Sequence, residues 1–119
     1  MADFRFEDLD IWKDSIEITD ILYDYADSAE SQNKYRYAEQ LRGAALSISN
    51  NIAEGSGSFS NKEFAQFLNY ARRSLFECTN IIVVFERRKL ITKKEKEILF
   101  RELKYLSQRI TNFRKSLLK

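Results

Sequence analysis

Residues that interrupt regular backbone are almost absent from this 119-residue chain, which has no proline and only three glycines. Proline removes a backbone hydrogen-bond donor and glycine relaxes the backbone, so these two residues mark most turns and loops. A chain that nearly lacks them favours long helices. At this length, residues 1–119 can form a single domain with one hydrophobic core.

Apolar residues recur at helical spacing in four segments of the chain. This periodicity predicts four helices, which cover about Asp8 to Ala29, about Tyr35 to Glu54, about Asn61 to Arg88, and a final segment that starts after Thr92. Helices of about 20 to 28 residues with short connections pack side by side in alternating directions. The sequence therefore predicts an all-α fold, an antiparallel up-down-up-down four-helix bundle.

Capping signals occur where these helices are predicted to begin and end. Ser60 with Glu63, and Thr92 with Glu95, have the spacing of capping boxes, in which a hydroxyl and a carboxylate satisfy free backbone donors. We expect these pairs to begin the third and fourth helices. Gly55 follows the second helix, and we expect it to adopt the left-handed conformation that often ends a helix.

The second predicted helix carries an ordered set of polar residues in the segment QLRGAALSISNNIAEG, which runs from Gln40 to Gly55. At roughly 100° per residue, four of these residues fall within about a quarter turn of one another, beside the apolar face. The polar motif comprises these four and one arginine: Gln40, Ser47, Asn51, Glu54 and Arg42. It can serve as a structural hydrogen-bond network, as a ligand or partner site, or as a solvated flank, and we expect the network.

Two members of the motif need partners. Glu54 lies in the last helical turn, where the helix dipole disfavours a carboxylate. The second and third helices run in opposite directions on either side of their loop, so residues equally far from the loop lie at the same level. Position 54 is then level with position 61, and position 42 with position 73. Lys62 is therefore a candidate partner for Glu54, and Glu77, one turn beyond Arg73, is a candidate partner for Arg42.

The same segment, with SNKEF from Ser60 to Phe64 and FLNYARRSLFE from Phe67 to Glu77, resembles a known family. The 23S rRNA intervening sequence proteins have the signature QLRRAxxSIxxNIAEG, then SxxEF and FLxxAxxSLxE. The chain departs from it at Gly43, where the family usually has a second basic residue. The resemblance implies a four-helix bundle that forms ring-shaped pentamers, similar to the accessory proteins of diversity-generating retroelements. It implies no established enzymatic reaction.

Charge is unevenly distributed along the chain. Residues 1–30 contain ten acidic residues against two basic ones, whereas residues 87–119 contain twelve basic residues against three acidic ones. Six cations lie within ten residues, between the third and fourth helices: Arg87, Arg88, Lys89, Lys93, Lys94 and Lys96. This cluster can bind RNA or DNA without sequence preference. Alternatively, the acidic first helix neutralises the basic fourth helix, within one chain or between neighbours, and the protein is purely a protein–protein scaffold.

Several site chemistries are disfavoured by composition. Histidine, the commonest general base and neutral metal ligand, is absent. The single cysteine, Cys78, lies on an apolar helical face, where a thiol usually packs as a small hydrophobe. The loop that begins Gly55-Ser-Gly57-Ser lacks the lysine of a phosphate-binding loop. We predict a non-enzymatic protein with no catalytic residue, no cofactor, no metal site and no small-molecule substrate.

Location and assembly follow from the remaining features. The first residues lack the basic and apolar regions of a signal peptide, and no apolar run reaches the roughly 20 residues that span a bilayer. We expect a soluble, cytoplasmic protein without membrane contact. The first helix and the segment Ile81 to Phe85 are apolar over more than one face, which predicts a homo-oligomer. The family resemblance implies that this oligomer is a pentamer.

Overall fold

The computed structural model describes residues 2–119 as four long helices preceded by a short one. A 3-10 helix at Arg5–Asp8 leads into α1 (Asp10–Ser31), α2 (Tyr35–Ser56), α3 (Asn61–Arg87) and α4 (Lys93–Leu117). Consecutive helices pack against each other, α1 packs less extensively against α4, and the molecule measures 44 × 24 × 23 Å. The prediction of an all-α four-helix bundle is confirmed. None of the described helices is long and apolar enough to cross a membrane.

All four helices contribute to one core. Leu22, Leu41, Leu68 and Leu103, one from each helix, have no exposed surface. Burying a leucine side chain stabilises a fold by roughly 1.5 to 3 kcal/mol, so this apolar stripe holds the helices together. Aromatic pairs occupy the two ends of the bundle, where Phe64 packs edge-on against Phe113 and Tyr37 packs edge-on against Phe85.

The two turns at one end of the bundle have the same structure. Asn33 after α1 and Lys89 after α3 adopt positive φ angles of 65° and 62°. The amide of Lys34 then donates to the carbonyl of Ala29 at 2.9 Å, and the amide of Leu90 donates to the carbonyl of Phe85 at 2.8 Å. These bonds satisfy carbonyl groups that the helix ends leave free, as in a Schellman motif.

The prediction for Gly55 is wrong. This glycine lies inside α2, which continues to Ser56, and no glycine in residues 2–119 has a positive φ. A Cβ at position 55 would lie 2.6 Å from the Cβ of Phe67 and 2.8 Å from Cδ1 of Phe64. Gly55 therefore allows α2 and α3 to approach closely, and it does not end a helix.

The predicted helix starts are close to the observed ones. Thr92 and Glu95 form both hydrogen bonds of a capping box. At Ser60, the hydroxyl accepts a hydrogen bond from the amide of Glu63, but within residues 2–119 the Glu63 side chain does not accept one from the amide of Ser60. α1 begins later than expected because Asp8 belongs to the 3-10 helix and Leu9 is the N-cap.

Candidate functional site

The predicted cation cluster lies in the turn between α3 and α4. Arg87, Arg88, Lys89, Lys93 and Lys94 are exposed, and none of the five forms an ion pair with any part of residues 2–119. Lys96 differs from them. It is only partly exposed, pairs with Glu86 at 3.1 Å and lies over the ring of Phe100, so it contributes to the structure of the turn.

A second set of cations joins the cluster from the neighbouring turn. Because the helices are antiparallel, the α1–α2 turn lies at the same end of the bundle as the α3–α4 turn, and the Tyr37–Phe85 ring contact joins the two regions. We call this region the cationic end and define it by its exposed, unpaired cations, which are Lys34, Arg36, Arg87, Arg88, Lys89, Lys93 and Lys94. The sequence pattern did not reveal that Lys34 and Arg36 belong to it.

Two acidic residues at this end already have partners. Glu86 is paired with Lys96, and Glu95 accepts hydrogen bonds from the amide of Thr92 at 2.8 Å and the hydroxyl of Tyr25 at 3.1 Å. The backbone hydrogen bond from Thr92 is the main reason why the pKa of Glu95 is lowered, and the Tyr25 bond adds to it. Burial raises the pKa of Tyr25, and its bond to Glu95 raises it further. Glu86 is therefore balanced by Lys96, whereas Glu95 stays ionised and offsets only part of the positive charge of the cationic end.

Arg42 of the polar motif pairs with α1 and with its own helix. Its guanidinium lies 2.5 Å from Asp27, 3.1 Å from Glu30 and 2.9 Å from Glu39. The hydrogen bond to Asp27 is the largest reason why the pKa of Arg42 is raised. The predicted partner Glu77 is wrong, because a match in level along the bundle does not place two side chains on facing sides of their helices.

The middle of the motif forms a hydrogen-bonded contact between α2 and α3. The hydroxyls of Ser47 and Ser74 lie 2.8 Å apart, and the Asn51 amide donates to the Ser47 carbonyl at 2.8 Å and to its hydroxyl at 3.1 Å. Tyr70, Arg73 and Glu77 line the same shallow depression. Ser47 and Asn51 are thus the members of the motif that carry the predicted network.

The two ends of the motif differ from expectation. Glu54 and Lys62 are both exposed, and no ion pair joins them in the described chain, so this predicted pair is wrong. Gln40 is exposed and lines a surface depression beside Tyr35. Solvent can hydrate both polar groups, which removes the need for a protein partner.

Within residues 2–119, the ion pairs between the acidic α1 and the basic α4 all come from one arginine. Arg109 pairs with Asp14 and lies 3.7 Å from Asp10. Arg101 and Lys104 are exposed, with no ion pair in residues 2–119. Neutralisation within one chain therefore leaves most of the basic side of α4 uncovered.

A groove between α3 and α4 was not predicted. It has a volume of about 620 Å³ and includes Leu75, Phe76 and Phe100, with Arg101 and Lys104 beside them. The signal was present in the sequence, because Phe76 and Phe100 fall outside the apolar stripes of their helices. In contrast, Ile81 to Phe85 are buried or half-buried within the chain, so the exposed apolar surface of α3 lies nearer its middle.

The side chains that could hold a metal or act as nucleophiles are scattered or buried. No group of three or more Asp, Glu, Cys or His residues with metal-binding geometry occurs in residues 2–119. Cys78 is fully buried, and burial raises its pKa to about 12. The thiol therefore stays protonated near neutral pH and packs as part of the core.

Comparison with known proteins agrees with the signature in α2 and α3. The model of a protein family described as 23S rRNA-intervening sequence protein matches residues 7–112, a range that extends from the 3-10 helix into the last turns of α4. No curated protein sequence matches the chain significantly.

Proposed function

We propose a non-enzymatic role for this chain, which belongs to the 23S rRNA-intervening sequence protein family. In this proposal it is a self-assembling adaptor, a ring-shaped homo-oligomer whose basic surface binds RNA, DNA or a nucleoprotein partner. The family resemblance favours the ring, with a pentamer as the expected count. The same resemblance implies a likeness to accessory proteins of diversity-generating retroelements, and this expected likeness motivates the link to nucleic acid.

The observation that carries the nucleic-acid role is the unpaired charge of the α3–α4 turn. Five exposed cations occur within eight residues, and none has an internal ion pair in residues 2–119. One of them, Lys89, occupies a left-handed position, which costs a side-chain residue roughly 1 kcal/mol relative to glycine. Lys89 thus keeps an exposed charge in a turn whose backbone glycine would fit better.

The mode of binding follows from the kind of groups that this end presents. Lysine and arginine side chains contact phosphate groups and release counterions. The helix dipoles add no net charge, because the N-termini of α2 and α4 and the C-termini of α1 and α3 lie at the same end. The residues of this end form no known base-reading motif. We therefore expect binding that tolerates any sequence and weakens steeply with salt.

The test is charge reversal at the turn. Changing Arg87, Arg88, Lys93 and Lys94 to glutamate should abolish binding of a mixed-sequence RNA, measured by fluorescence anisotropy at two salt concentrations. For the parent protein, the slope of log affinity against log salt should be about −0.7 to −0.9 per phosphate contacted. The matched control changes four exposed lysines outside the α3–α4 turn to glutamate and should retain most of the RNA binding. These are Lys13, Lys62, Lys115 and Lys119.

A second candidate function is a protein–protein scaffold without nucleic acid. It is favoured by the exposed acidic residues of α1, among them Glu17, Asp20 and Asp24, which can meet the basic side of α4 from a neighbouring copy. Absence of RNA binding at low salt, or equal loss in the turn variant and the control, would reject the adaptor role. An assembled protein with that behaviour would fit the scaffold.

A further inference from the structure

The α3–α4 groove combines an apolar surface with a cationic border. Half of the Phe76 side chain is exposed (51%), and Phe76, Phe100 and the buried Leu75 supply the apolar surface of the groove. Arg101 and Lys104 stand beside it, and the Arg72 guanidinium lies 4.6 Å from the centre of the Phe76 ring. One carboxylate, Glu97, also lines the groove, so its border keeps a net positive charge. We call Arg72, Phe76, Phe100, Arg101 and Lys104 the cationic groove.

An apolar surface with an acidic border occurs on the other side of α4, in the depression between α4 and α1. Ile21 and Tyr105 project with exposed fractions of 44% and 59%, and Glu17 and Glu102 lie around the same depression. Neither carboxylate has an ion pair in the part of the chain that the structure describes. We call Glu17, Ile21, Glu102 and Tyr105 the acidic face.

We propose that the acidic face of one copy docks into the cationic groove of the next copy. This assignment rests on the proposed self-association and names its interface. Ile21 and Tyr105 cover Phe76 and Phe100, while Glu17 and Glu102 meet Arg72, Arg101 and Lys104. Like charges oppose contact between two grooves or between two acidic faces, so a symmetric dimer through either surface is disfavoured.

The positions of the two surfaces favour a closed ring. Both border α4, so they lie on adjacent sides of the bundle, which are about 90° apart in a four-helix bundle. A contact between two different surfaces repeats from copy to copy; an angle of about 90° closes a ring of about four copies, and a slightly wider angle of about 108° closes a ring of five. With the bundle axes parallel to the ring axis, every cationic end would lie on the same side of the ring.

The interface leaves the cationic end free. The groove is built from residues 72–79 of α3 and residues 97–108 of α4, whereas the unpaired cations of the turn lie between Arg87 and Lys94. Oligomerisation and nucleic-acid binding therefore use separate surfaces, and they can be disrupted separately.

The experiment is a charge exchange with rescue. The groove variant carries Arg101→Glu and Lys104→Glu, and the face variant carries Glu17→Lys and Glu102→Lys. Light scattering should report several subunits for the parent and a single chain of 14.1 kDa for each variant. A third protein that carries all four changes has an acidic groove and a basic face, so it should assemble again. Circular dichroism verifies that each variant is folded.

The outcomes separate the two levels of the proposal. A monomeric parent would reject self-association itself. If the parent assembles and the two variants still assemble, the interface lies elsewhere while self-association stands. If both variants are monomeric and the combined protein is not rescued, the two surfaces do not meet directly. The matched control, Lys115→Glu with Lys119→Glu, removes two exposed cations outside both surfaces and should assemble like the parent.

Discussion

The hydroxyl of Tyr25 in α1 donates a hydrogen bond of 3.1 Å to Glu95, the residue that caps the start of α4. The two residues are 70 positions apart in sequence. The bond links helices α1 and α4, which pack less extensively than the other neighbouring pairs. The Glu95 carboxylate therefore caps the N-terminus of α4 and also links α4 to α1 through Tyr25.

This relationship predicts a pH dependence of stability. Because the folded pKa of Glu95 is lowered, its contribution is present above the unfolded pKa of about 4.3 and is lost as pH falls through the folded value. Because the folded pKa of Tyr25 is raised, its contribution is present below about pH 10 and is lost as pH rises through the folded value. Tyr25→Phe should lower stability by about 1 kcal/mol at neutral pH.

Thermal melting across the pH range tests this link. The difference in free energy of unfolding between the parent and Tyr25→Phe should shrink at both extremes of pH. The control is Tyr23→Phe, at another half-buried tyrosine of α1, whose hydroxyl makes no hydrogen bond within residues 2–119. This change should have little effect on the free energy of unfolding. A difference that stays constant from pH 3 to pH 11 would mean that the Tyr25–Glu95 bond does not contribute to stability.

Replacing Gly55 or Gly43 by alanine should change the stability of the protein in opposite directions. Gly55→Ala places a Cβ 2.6 Å from the Cβ of Phe67, which is fixed to its backbone, so α2 and α3 must separate at a cost of about 1 to 3 kcal/mol. Gly43→Ala meets no atom within 4 Å in the middle of α2 and should stabilise the protein by about 0.5 to 1 kcal/mol. Chemical denaturation measures both. Equal effects would contradict the close approach at Gly55.

Lys89→Gly should separate stability from binding. Glycine tolerates the φ of 62°, so the variant should be more stable by about 0.5 to 1 kcal/mol, but it loses one cation of the turn and should bind RNA more weakly. Asn33→Gly removes the strain of the matching positive φ without a change in charge, so it should stabilise the protein. It also removes the partner of the Tyr35 hydroxyl, so the control is read with duplex RNA, whose binding should be unchanged. Tighter RNA binding by Lys89→Gly would contradict a phosphate contact by this lysine.

The exposed position of Tyr35 predicts that the cationic end binds single-stranded nucleic acid more tightly than duplex. Tyr35 is 57% exposed at the cationic end, and its hydroxyl donates to the Asn33 side chain at 3.0 Å. Unpaired bases stack on such rings with about 1 to 3 kcal/mol per base. Tyr35→Ala should weaken binding of single-stranded RNA but not of duplex RNA, and Tyr35→Phe should retain it. Equal losses for both RNAs would exclude stacking.

The bundle was predictable because its causes are local in sequence. Four periodic segments and the near absence of breakers determine how many helices form, and the capping pair Thr92 and Glu95 determines where α4 starts. The cation cluster was likewise visible as a run of residues. Its extension to Lys34 and Arg36 required the knowledge that the two turns share one end of the bundle.

The errors concern how two helices lie against each other, both in their distance and in which sides face each other, and the periodicity of a single helix does not determine this. Gly55 has the position of a helix-ending glycine, but its role depends on how near Phe67 lies in space. Arg42 was assigned a partner by its level along the bundle, whereas its orientation about the helix axis turns it toward Asp27 and Glu30. The groove at Phe76 and Phe100 arises only when α3 and α4 are packed together.

The up-down-up-down order of the helices has a practical consequence for fusion proteins. Residues 4–9 and Leu118 lie at the end of the bundle where Phe64 packs against Phe113, opposite the cationic end. In the proposed ring, a fluorescent protein or affinity label joined to either terminus would lie on the side away from the proposed nucleic-acid surface. Labelled copies could thus report assembly and RNA binding at once, with neither event obstructed by the label.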